Sequence, residues 1–400
     1  MGTVVGVLHD QLWKEICDGL LSWSAYYRAL PYAGRPLPPL AKHIKIRLSK
    51  IEKGVRVIFC PYLGFVIFDT ADLRSQDVLE KVVRLDEIES AHISSEFRII
   101  APVDGYEEVT TLTESIPMWH HELIGIDQLH KQGIKGDGVL VAVLDSGVDL
   151  QTPYLSQKIT AHATFFDRGD PIIGGPMDDP FRHGTHVCGI IAGREIGVAP
   201  ASSLVVGRIA PDGTTSFGRI IQSLEWLCSD FPEIRVINMS VGKLGDPPQE
   251  MLKLVRRLYE NNKLLICAIG NDGEGATRTP GNVPQVIGVG AVDIHKQVAS
   301  FSGGMTWSEE GHTIWKPDIV MPGVAIPSCV PGGIIVTASG TSQAAPMASG
   351  LAALLIQSSP TMSAEQLREA LINLCIDLPV PPDRDGHGLP DASRLERNPV

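Results

Sequence analysis

One apolar stretch near the C-terminal end, residues 340–357, constrains the fold more than any other part of the chain. Apart from Ser342, Gln343 and Ser349 it is almost wholly apolar and rich in small residues. This composition predicts a helix that is buried on all sides. The first turn follows a glycine, and its unpaired N–H groups and positive dipole end favour a developing negative charge. We therefore expect a nucleophile at this turn; the alternative is that Thr341 and Ser342 only cap the helix.

Two stretches further upstream carry polar residues in equally specific settings. Residues 138–144 form a continuous β-rich apolar run, typical of a central parallel strand, and the run ends at Asp145. Open α/β sheets place their sites at the carboxyl ends of such strands. His183 opens a second helix-like stretch of small residues. The alternatives are that Asp145 is only a strand-end turn residue and His183 only a core histidine.

The three motifs occur in a characteristic order. Residues 145–147 (Asp-Ser-Gly), 183–186 (His-Gly-Thr-His) and 340–342 (Gly-Thr-Ser) follow one another along the chain. In these motifs and their order the chain resembles the subtilases, the subtilisin-like serine peptidases. The resemblance covers roughly residues 118–395. It implies a serine endopeptidase that hydrolyses peptide bonds through an Asp-His-Ser triad and an acyl-enzyme intermediate.

The same resemblance implies a role for each catalytic candidate. Ser342 is the expected nucleophile, His183 the base that accepts its proton, and Asp145 the carboxylate that fixes the imidazole tautomer and stabilises the imidazolium. Residues 267–273 follow an apolar strand and resemble the subtilase segment that supplies an asparagine to the oxyanion. Asn271 is therefore expected to act beside the backbone N–H of Ser342; the alternative is a turn asparagine.

Substrate binding in this family resembles strand addition, in which a peptide backbone pairs with two exposed segments. By motif, the expected substrate-binding residues are Asp212, Gly213, Thr214, Ser240, Val241, Gly242, Ala268 and Gly270. The loop before Pro280 looks shortened, and Arg278 within it is expected to be a solvated surface arginine. The alternative is that Arg278 approaches the first specificity pocket and favours an acidic residue before the cut.

Length and charge bound the remaining possibilities. A chain of 400 residues exceeds what one core usually supports, so one large domain and a smaller one are expected. Strands and helices alternate between residues 204 and 292, which predicts an α/β fold with a doubly wound, mostly parallel sheet and helices on both faces. The net charge of −12 argues against nucleic acid or an anionic membrane surface as partner. No stretch is apolar for long enough to span a bilayer.

The N-terminal third has a different pattern. We expect a helical extension and Pro-rich linker over residues 1–42, a small α+β domain over 43–101, an acidic linker over 102–117 and the peptidase over 118–400. The predicted elements of the small domain are strands at 44–48, 55–59, 64–68 and 97–100, and a helix at 77–90. Its place and element order resemble the subtilase propeptide domain, which implies an intramolecular inhibitor or chaperone. The alternative is a substrate-recruiting module.

The cysteines and the chain start indicate a compartment. The seven cysteines are scattered, odd in number and form no C-x-x-C pair, so free thiols in a reducing environment are expected. Residues 1–30 lack the basic start and continuous apolar core of a signal peptide. A cytoplasmic protein is the expectation, and a leaderless export route is the alternative.

No metal or other cofactor is expected. Many subtilases insert a calcium loop after the catalytic histidine, but residues 192–200 are too short for one, and Tyr154 lies where a ligand aspartate would align. His120 and His121 have no carboxylate or thiol at ligand spacing, and His186 is expected to be structural. A catalytically silent peptide-binding module of the same fold is the alternative to an enzyme, although the intact triad and asparagine favour the enzyme.

Overall fold

A computed structural model describes residues 3–21, 37, 39–70, 74–109, 118–309 and 312–396. The chain divides into two compact units. The first contains residues 1–97, 165–172 and 215–232, and the second contains residues 98–164, 173–214 and 233–400. None of the helices in the described ranges is both long enough and apolar enough to cross a membrane.

The elements of the described residues are numbered in chain order. The strands are β1 Thr3–Leu8, β2 Arg56–Cys60, β3 Phe65–Asp69, β4 Ile88–Ile93, β5 Glu96–Ile99, β6 Glu107–Glu108, β7 Leu140–Asp145, β8 Ile159–Thr164, β9 Ile172–Ile173, β10 Ser203–Arg208, β11 Thr214–Ser216, β12 Val236–Met239, β13 Val241–Leu244, β14 Leu264–Ala268, β15 Arg278–Thr279, β16 Ile287–Val292, β17 Met305–Glu309, β18 His312–Lys316, β19 Ile319–Pro322, β20 Ile326–Val330, β21 Ile334–Ala338, β22 Cys375–Ile376 and β23 Leu389–Pro390. The α-helices are α1 Asp10–Leu21, α2 Pro39–Leu48, α3 Ser75–Val82, α4 Trp119–Leu123, α5 Ile126–Lys131, α6 His183–Ala192, α7 Phe217–Asp230, α8 Gln249–Glu260, α9 Thr341–Ser358, α10 Ala364–Asn373 and α11 Pro382–Asp385. Short 3₁₀ turns lie at Pro153–Leu155 and Ala392–Glu396.

The second unit is built on an eight-stranded sheet in the order β19-β16-β14-β12-β7-β10-β8-β9. Each neighbouring pair from β19 to β8 is parallel. The inner strands are short continuous runs of Val, Ile, Leu and Ala, because a parallel sheet is buried on both faces. The predicted α/β class with a mostly parallel sheet is confirmed.

Helix α9 is the buried helix that the sequence predicts. Every residue from Thr341 to Ile356 is buried, and the helix packs against β12, β14, β16, β19 and helix α6. Pro346 interrupts its hydrogen bonding, because proline has no N–H to donate to the carbonyl of Ser342. That carbonyl accepts from Ser240 Oγ at 3.4 Å. The apolar stretch thus fixes the first turn of α9 in the core.

The first unit contains an antiparallel sheet in the order β2-β3-β1-β4. Its apolar core includes residues from β1 to β4 and from helices α1 to α3. Glu225 on α7 is buried, and its two carboxyl oxygens accept from the backbone N–H groups of Tyr62 and Leu63 at 3.0 Å each. Burial raises the pKa of Glu225 to about 8, although both hydrogen bonds act in the opposite direction.

The expected helical extension over residues 1–42 is wrong at its start. Thr3–Leu8 is a strand, and a helix begins only at Asp10. Strand β1 lies inside its sheet and is buried on both faces, so its apolar run has no polar alternation. The run therefore lacks the period of two that indicates a half-buried strand. The predicted domain boundary at residue 43 is wrong as well, because the first unit already contains this strand. The Pro-rich segment lies almost wholly outside the described residues.

Two further predictions in this region need correction. Residues 44–48 belong to helix α2, which buries Ala41, Ile44 and Leu48 and leaves Ile46 49 % exposed. The period-2 pattern was misleading because residues four apart share a helix face. The helix expected at 77–90 ends at Val82, and β4 follows. The predicted strands 55–59, 64–68 and 97–100 agree with β2, β3 and β5 to within one residue.

The expected linker over residues 102–117 is structured where it is described. Strand β6 within it pairs antiparallel with β21, and the N–H of Val109 donates to the carbonyl of Ile335 at 3.1 Å. An acidic, aperiodic sequence gave no strand signal, because a two-residue strand is too short to show a period. Residues 110–117 lie outside the described part.

Candidate active site

The carboxyl end of strand β7 meets the first residue of helix α6 at a buried hydrogen bond. Asp145 Oδ1 lies 2.8 Å from Nδ1 of His183, and both side chains are fully buried. The approach depends on Gly184, because a Cβ there would lie 2.1 Å from the carbonyl oxygen of Gly147. Within the described residues, Nε2 of His183 has no hydrogen-bond partner. The carboxylate therefore holds the proton on Nδ1 and leaves Nε2 to accept another.

A second carboxylate supports this pair. Asp179 Oδ1 accepts from Ser146 Oγ at 2.7 Å, and its Oδ2 accepts from the N–H and hydroxyl of Thr185, each at 2.7 Å. The N–H of Ser146 donates to Asp145 Oδ1 at 2.7 Å, so the network joins the two carboxylates. Burial raises the pKa of Asp179 above its ordinary value. Sequence analysis missed Asp179, because an acidic pair ahead of a proline is typical of an ordinary turn.

Asn271 and Ser342 converge on the residue before helix α9. A Cβ built on Gly340 would lie 3.0 Å from Asn271 Nδ2, 3.2 Å from Ser342 Oγ and 2.8 Å from Gln343 Oε1. Asn271 Oδ1 accepts from the N–H and hydroxyl of Thr341 at 2.9 and 2.8 Å, which turns its amide nitrogen outward as a donor. Ser342 Oγ donates to Gln343 Oε1 at 3.0 Å. The serine hydroxyl is thus directed to the glutamine and not to His183.

Residues 98–109, here called the arm, cross the expected substrate segments, and the arm begins with the last two residues of strand β5. The N–H of Ile99 donates to the carbonyl of Gly213, and the N–H of Ile100 donates to the carbonyl of Ser240, each at 2.9 Å. Strand β5 pairs antiparallel with β13, with Ile99 opposite Val241 and Arg98 opposite Gly242. The arm therefore adds a strand between the two segments that the motifs indicate.

Asn271 also contacts the arm. Its Nδ2 donates to the carbonyl of Ala101 at 3.0 Å. Ala101 follows Ile100 in the chain, and the Ile100 side chain is only 3 % exposed. The peptide bond after Ala101 leads to Pro102, whose nitrogen carries no hydrogen.

The far part of the arm is held by one aromatic ring and several backbone bonds. The Tyr106 ring centroid lies 5.7 Å from the His186 ring centroid and 5.3 Å from Cζ of Arg182. The N–H of Val103 donates to the carbonyl of Ser339 at 2.8 Å. Burial lowers the pKa of His186 to about 3, so its imidazole is neutral near pH 7. His186 thus packs against the arm.

The remaining expected substrate residues flank the arm. Asp212 Oδ1 accepts from the N–H and hydroxyl of Thr214 at 3.1 and 2.9 Å, which closes a turn around Gly213 at φ +83°. Ala268 ends strand β14, and Gly270 follows with φ +123°, a conformation that favours glycine. These positions place backbone groups at the edge of the groove.

Arg278 is not a solvated surface arginine. Its side chain is 25 % exposed and makes two hydrogen bonds to Asp272, Nε to Oδ2 at 2.6 Å and Nη2 to Oδ1 at 2.8 Å. Its stem lies against the backbones of Gly242 and Gly270. The position of Arg278 is only weakly indicated by the sequence, because a short loop does not reveal where a long side chain lies.

His120 and His121, the adjacent histidines considered as metal ligands, are buried. His120 and His121 are 1 % and 5 % exposed with ring centroids 4.5 Å apart, and burial lowers the pKa of His121 to about 3. No cluster of three or more His, Cys, Asp or Glu suited to a metal occurs within the described ranges. The two rings therefore pack as neutral side chains.

Comparison with known proteins agrees with this geometry. The sequence matches the Subtilase family over residues 136–389, well over half of the chain. The chain belongs to the subtilase family. Members of this family are subtilisin-like serine endopeptidases, which are hydrolases acting on peptide bonds.

Three relatives illustrate the similarity. Subtilisin E of Bacillus subtilis is 33 % identical over 313 residues, which cover 76 % of this chain and 73 % of the relative. The intracellular serine protease of Paenibacillus polymyxa is 35 % identical over 273 residues, covering 64 % of this chain and 79 % of the relative. The subtilisin-like protease PopC of Myxococcus xanthus is 34 % identical over 284 residues; the match covers 64 % of this chain and 59 % of the length of PopC.

Proposed function

We propose that this subtilase is an active serine endopeptidase in which Ser342 is the nucleophile, His183 the general base and Asp145 its orienting carboxylate. The observation that carries the proposal is the buried Asp145–His183 hydrogen bond, with the second imidazole nitrogen unpartnered among the described residues. Ser342 begins as a neutral hydroxyl and requires such a base. Rotation of its hydroxyl away from Gln343 makes it available to attack.

The reaction follows from these groups. Ser342 Oγ attacks the substrate carbonyl while His183 Nε2 takes its proton, and Asp145 stays ionised and stabilises the imidazolium. Asn271 Nδ2 and the N–H of Ser342 donate to the oxyanion that forms. The imidazolium then protonates the leaving amine, which gives the acyl-enzyme, and water attacks that ester by the same route in reverse.

The substrate is an extended peptide or protein segment bound by strand addition. We assign its non-primed side to the groove between residues 212–214 and 240–242, with Ala268 and Gly270 beside the first pocket. The support is the arm itself, which makes backbone hydrogen bonds to Gly213 and Ser240. A substrate must displace or outcompete the arm to reach the same groups.

The arm restrains the enzyme in this proposal. The carbonyl that accepts from Asn271 belongs to Ala101. The buried side chain is that of the preceding residue, Ile100, and the residue that follows Ala101 is Pro102. A tethered segment has an effective concentration that reaches about the millimolar range, so weak pairing suffices to occupy the groove. We further propose that the small N-terminal domain acts as a propeptide-like inhibitor or chaperone; a substrate-recruiting module is the competing explanation.

We also propose that the protein works inside the cell. All seven cysteines lie within the described residues and none of them forms a disulfide, as expected in a reducing compartment. A relative that is 35 % identical is named an intracellular serine protease.

Hydrolysis of a protein substrate and of short chromogenic peptides tests the enzymatic function. We expect turnover by the wild-type chain, loss of turnover on adding a serine-directed inhibitor, and no turnover by His183→Ala. The silent peptide-binding module, which the Ser342–Gln343 hydrogen bond and the occupied groove favour, would instead bind peptides and leave them intact.

A further inference from the structure

Arg278 lies against Gly242 and Gly270, two of the residues that the proposed function assigns to substrate binding, where it forms a wall that the catalytic motifs do not predict. Arg278 on strand β15 makes a two-bond ion pair with Asp272, which directly follows the oxyanion candidate in sequence. A Cβ built on Gly242 would lie 2.8 Å from Arg278 Cβ, and one built on Gly270 would lie 3.1 Å from Arg278 Cγ. The arginine stem therefore runs from one backbone segment of the pocket to the other.

The arm shows which kind of side chain this wall accommodates. Ile100 Cδ1 lies 3.2 Å from the same Cβ position built on Gly242, so the isoleucine and the arginine stem share the space over that glycine. Ile100 is 3 % exposed. An aliphatic side chain is thus buried beside the same glycine as the methylene groups of Arg278, which are apolar although the guanidinium is charged.

The positive charge of the Arg278 guanidinium is compensated by the carboxylate of Asp272. Both oxygens of Asp272 bind the guanidinium in the planar two-bond geometry that is the strongest arrangement for arginine and carboxylate. An incoming substrate carboxylate would have to replace Asp272 to obtain these bonds. The pocket is therefore effectively neutral, although it contains an arginine.

We propose that the Arg278–Asp272 pair determines the residue accepted before the cut, an inference that rests on the proposed endopeptidase function. An aliphatic side chain such as that of Ile or Leu is preferred. An aromatic ring is disfavoured because the arginine stem occupies its space, and an acidic residue is disfavoured because Asp272 already pairs with the guanidinium.

The test uses the full-length chain and anilide peptides of the form Phe-Arg-Ile-Xaa, which copy residues 97–99, with Xaa being Ile, Leu, Phe or Glu. The measured quantity is the ratio of kcat/KM between two peptides. The fraction of molecules in which the arm has left the groove multiplies every kcat/KM equally, so it cancels in the ratio. The ratio thus reports the pocket and not the restraint.

Three variants separate the contributions of the pair. Asp272→Asn should raise the Glu-to-Ile ratio roughly tenfold, because the guanidinium is released for a substrate carboxylate. Arg278→Ala should raise the Phe-to-Ile ratio roughly tenfold or more by opening the wall. Arg278→Lys keeps an aliphatic stem and should hold the Phe-to-Ile ratio near the wild-type value. Arg56→Ala removes an arginine from an exposed ion pair in the first unit and should change neither ratio.

Two results would overturn the specificity proposal while the enzyme works: a wild-type preference for Phe over Ile, or ratios within twofold of wild type in both Asp272→Asn and Arg278→Ala. Cleavage of none of the peptides, together with no reaction of Ser342 with a fluorophosphonate, would instead overturn the endopeptidase function, and the specificity proposal with it. Thermal unfolding of each variant shows that a changed ratio comes from folded protein.

Discussion

The proposed catalytic centre and the arm are held by different kinds of contact. Asp145 and His183 are fully buried and joined by a side-chain hydrogen bond, and further buried side chains support them. The arm is held mainly by backbone hydrogen bonds at the groove and by the half-buried ring of Tyr106. Backbone pairing is independent of sequence, so another extended chain can replace the arm.

In the proposed enzyme, the groups that perform the chemistry are therefore held separately from the arm that controls substrate access to the groove. Removing one group from the centre leaves its buried partners unsatisfied, so such changes should lower activity by orders of magnitude. Weakening the arm should raise the fraction of molecules with an open groove, so such changes should increase activity by modest factors.

Ser342→Ala should cause the largest loss. We expect kcat to fall about a million-fold, as it does on removal of the serine in subtilisin, because the residual reaction uses only the oxyanion donors and binding. The control is Ser349→Ala on the same helix, where the hydroxyl bonds Asn238 at 3.0 Å; it should retain activity within about tenfold. Substantial turnover by pure Ser342→Ala protein would remove the serine from the mechanism.

Asn271→Ala should rank second. Loss of one preorganised oxyanion donor lowers kcat by about 100- to 1,000-fold. The same side chain also binds the arm at Ala101, so its removal should raise the accessible fraction of enzyme slightly and offset little of this loss. Steady-state kinetics on a short peptide measure the effect, and a change below fivefold would show that Asn271 serves only the turn.

Tyr106→Ala should act in the opposite direction. The change removes the ring contacts with Arg182 and His186, which are worth about 1–2 kcal/mol together, so peptide hydrolysis by the full-length chain should rise roughly tenfold. Val103→Ala is the matched control, because its side chain is 46 % exposed and its backbone bond is retained. Equal activity of both variants and wild type would contradict the restraint by the arm.

The carboxylate behind the centre should give a smaller, pH-dependent effect. Burial raises the pKa of Asp179, so the folded chain binds this proton more readily than the unfolded chain. Its contribution to stability is full at low pH and is lost as the pH rises through the raised value. Asp179→Asn removes the titration, so the free energy of unfolding of the variant should rise relative to that of wild type as the pH increases through the raised pKa.

Urea unfolding at each pH measures this difference. Asp104→Asn, at an exposed position of the arm, is the control and should give a curve parallel to that of wild type. An Asp179→Asn curve parallel to wild type would mean that the carboxyl does not titrate between the two states.

The smallest expected effect is that of a chelator. The segment after helix α6 is short, and Tyr154 lies where the calcium aspartate of other subtilases would align, so we predict no high-affinity calcium at this position. Adding EDTA should change the melting temperature by less than about 2 °C. A fall of tens of degrees would reveal a calcium site that stabilises the centre.

The sequence predicted the second unit better than the first for physical reasons. Strands β7, β10, β12, β14 and β16 and helix α9 lie where their apolar runs indicate, because a parallel sheet buried on both faces has few competing patterns. In the first unit, short segments such as 44–48 satisfied two periodicities at once. Only contacts distant in sequence decided between them.

The residues of the candidate site also differ in how well the sequence predicts them. Asp145, His183, Asn271 and Ser342 follow from local motifs: Asp145 ends strand β7, His183 and Ser342 lie in the first turns of helices, and Asn271 lies three residues after strand β14. Asp179 could not be predicted, since its role comes from hydrogen bonds to Ser146 and Thr185 that a turn sequence does not encode. The position of Arg278 likewise depends on how a loop folds back over two glycines.

Covalent labelling by a fluorophosphonate tests the central claim most directly. The reaction is irreversible, so even a small fraction of molecules with the arm displaced leads to complete labelling with time. We predict one adduct per chain, located by mass spectrometry on Ser342, with no labelling of Ser342→Ala or His183→Ala and faster labelling of Tyr106→Ala. A wild-type chain that stays unlabelled, or an adduct on any other residue, would contradict the account.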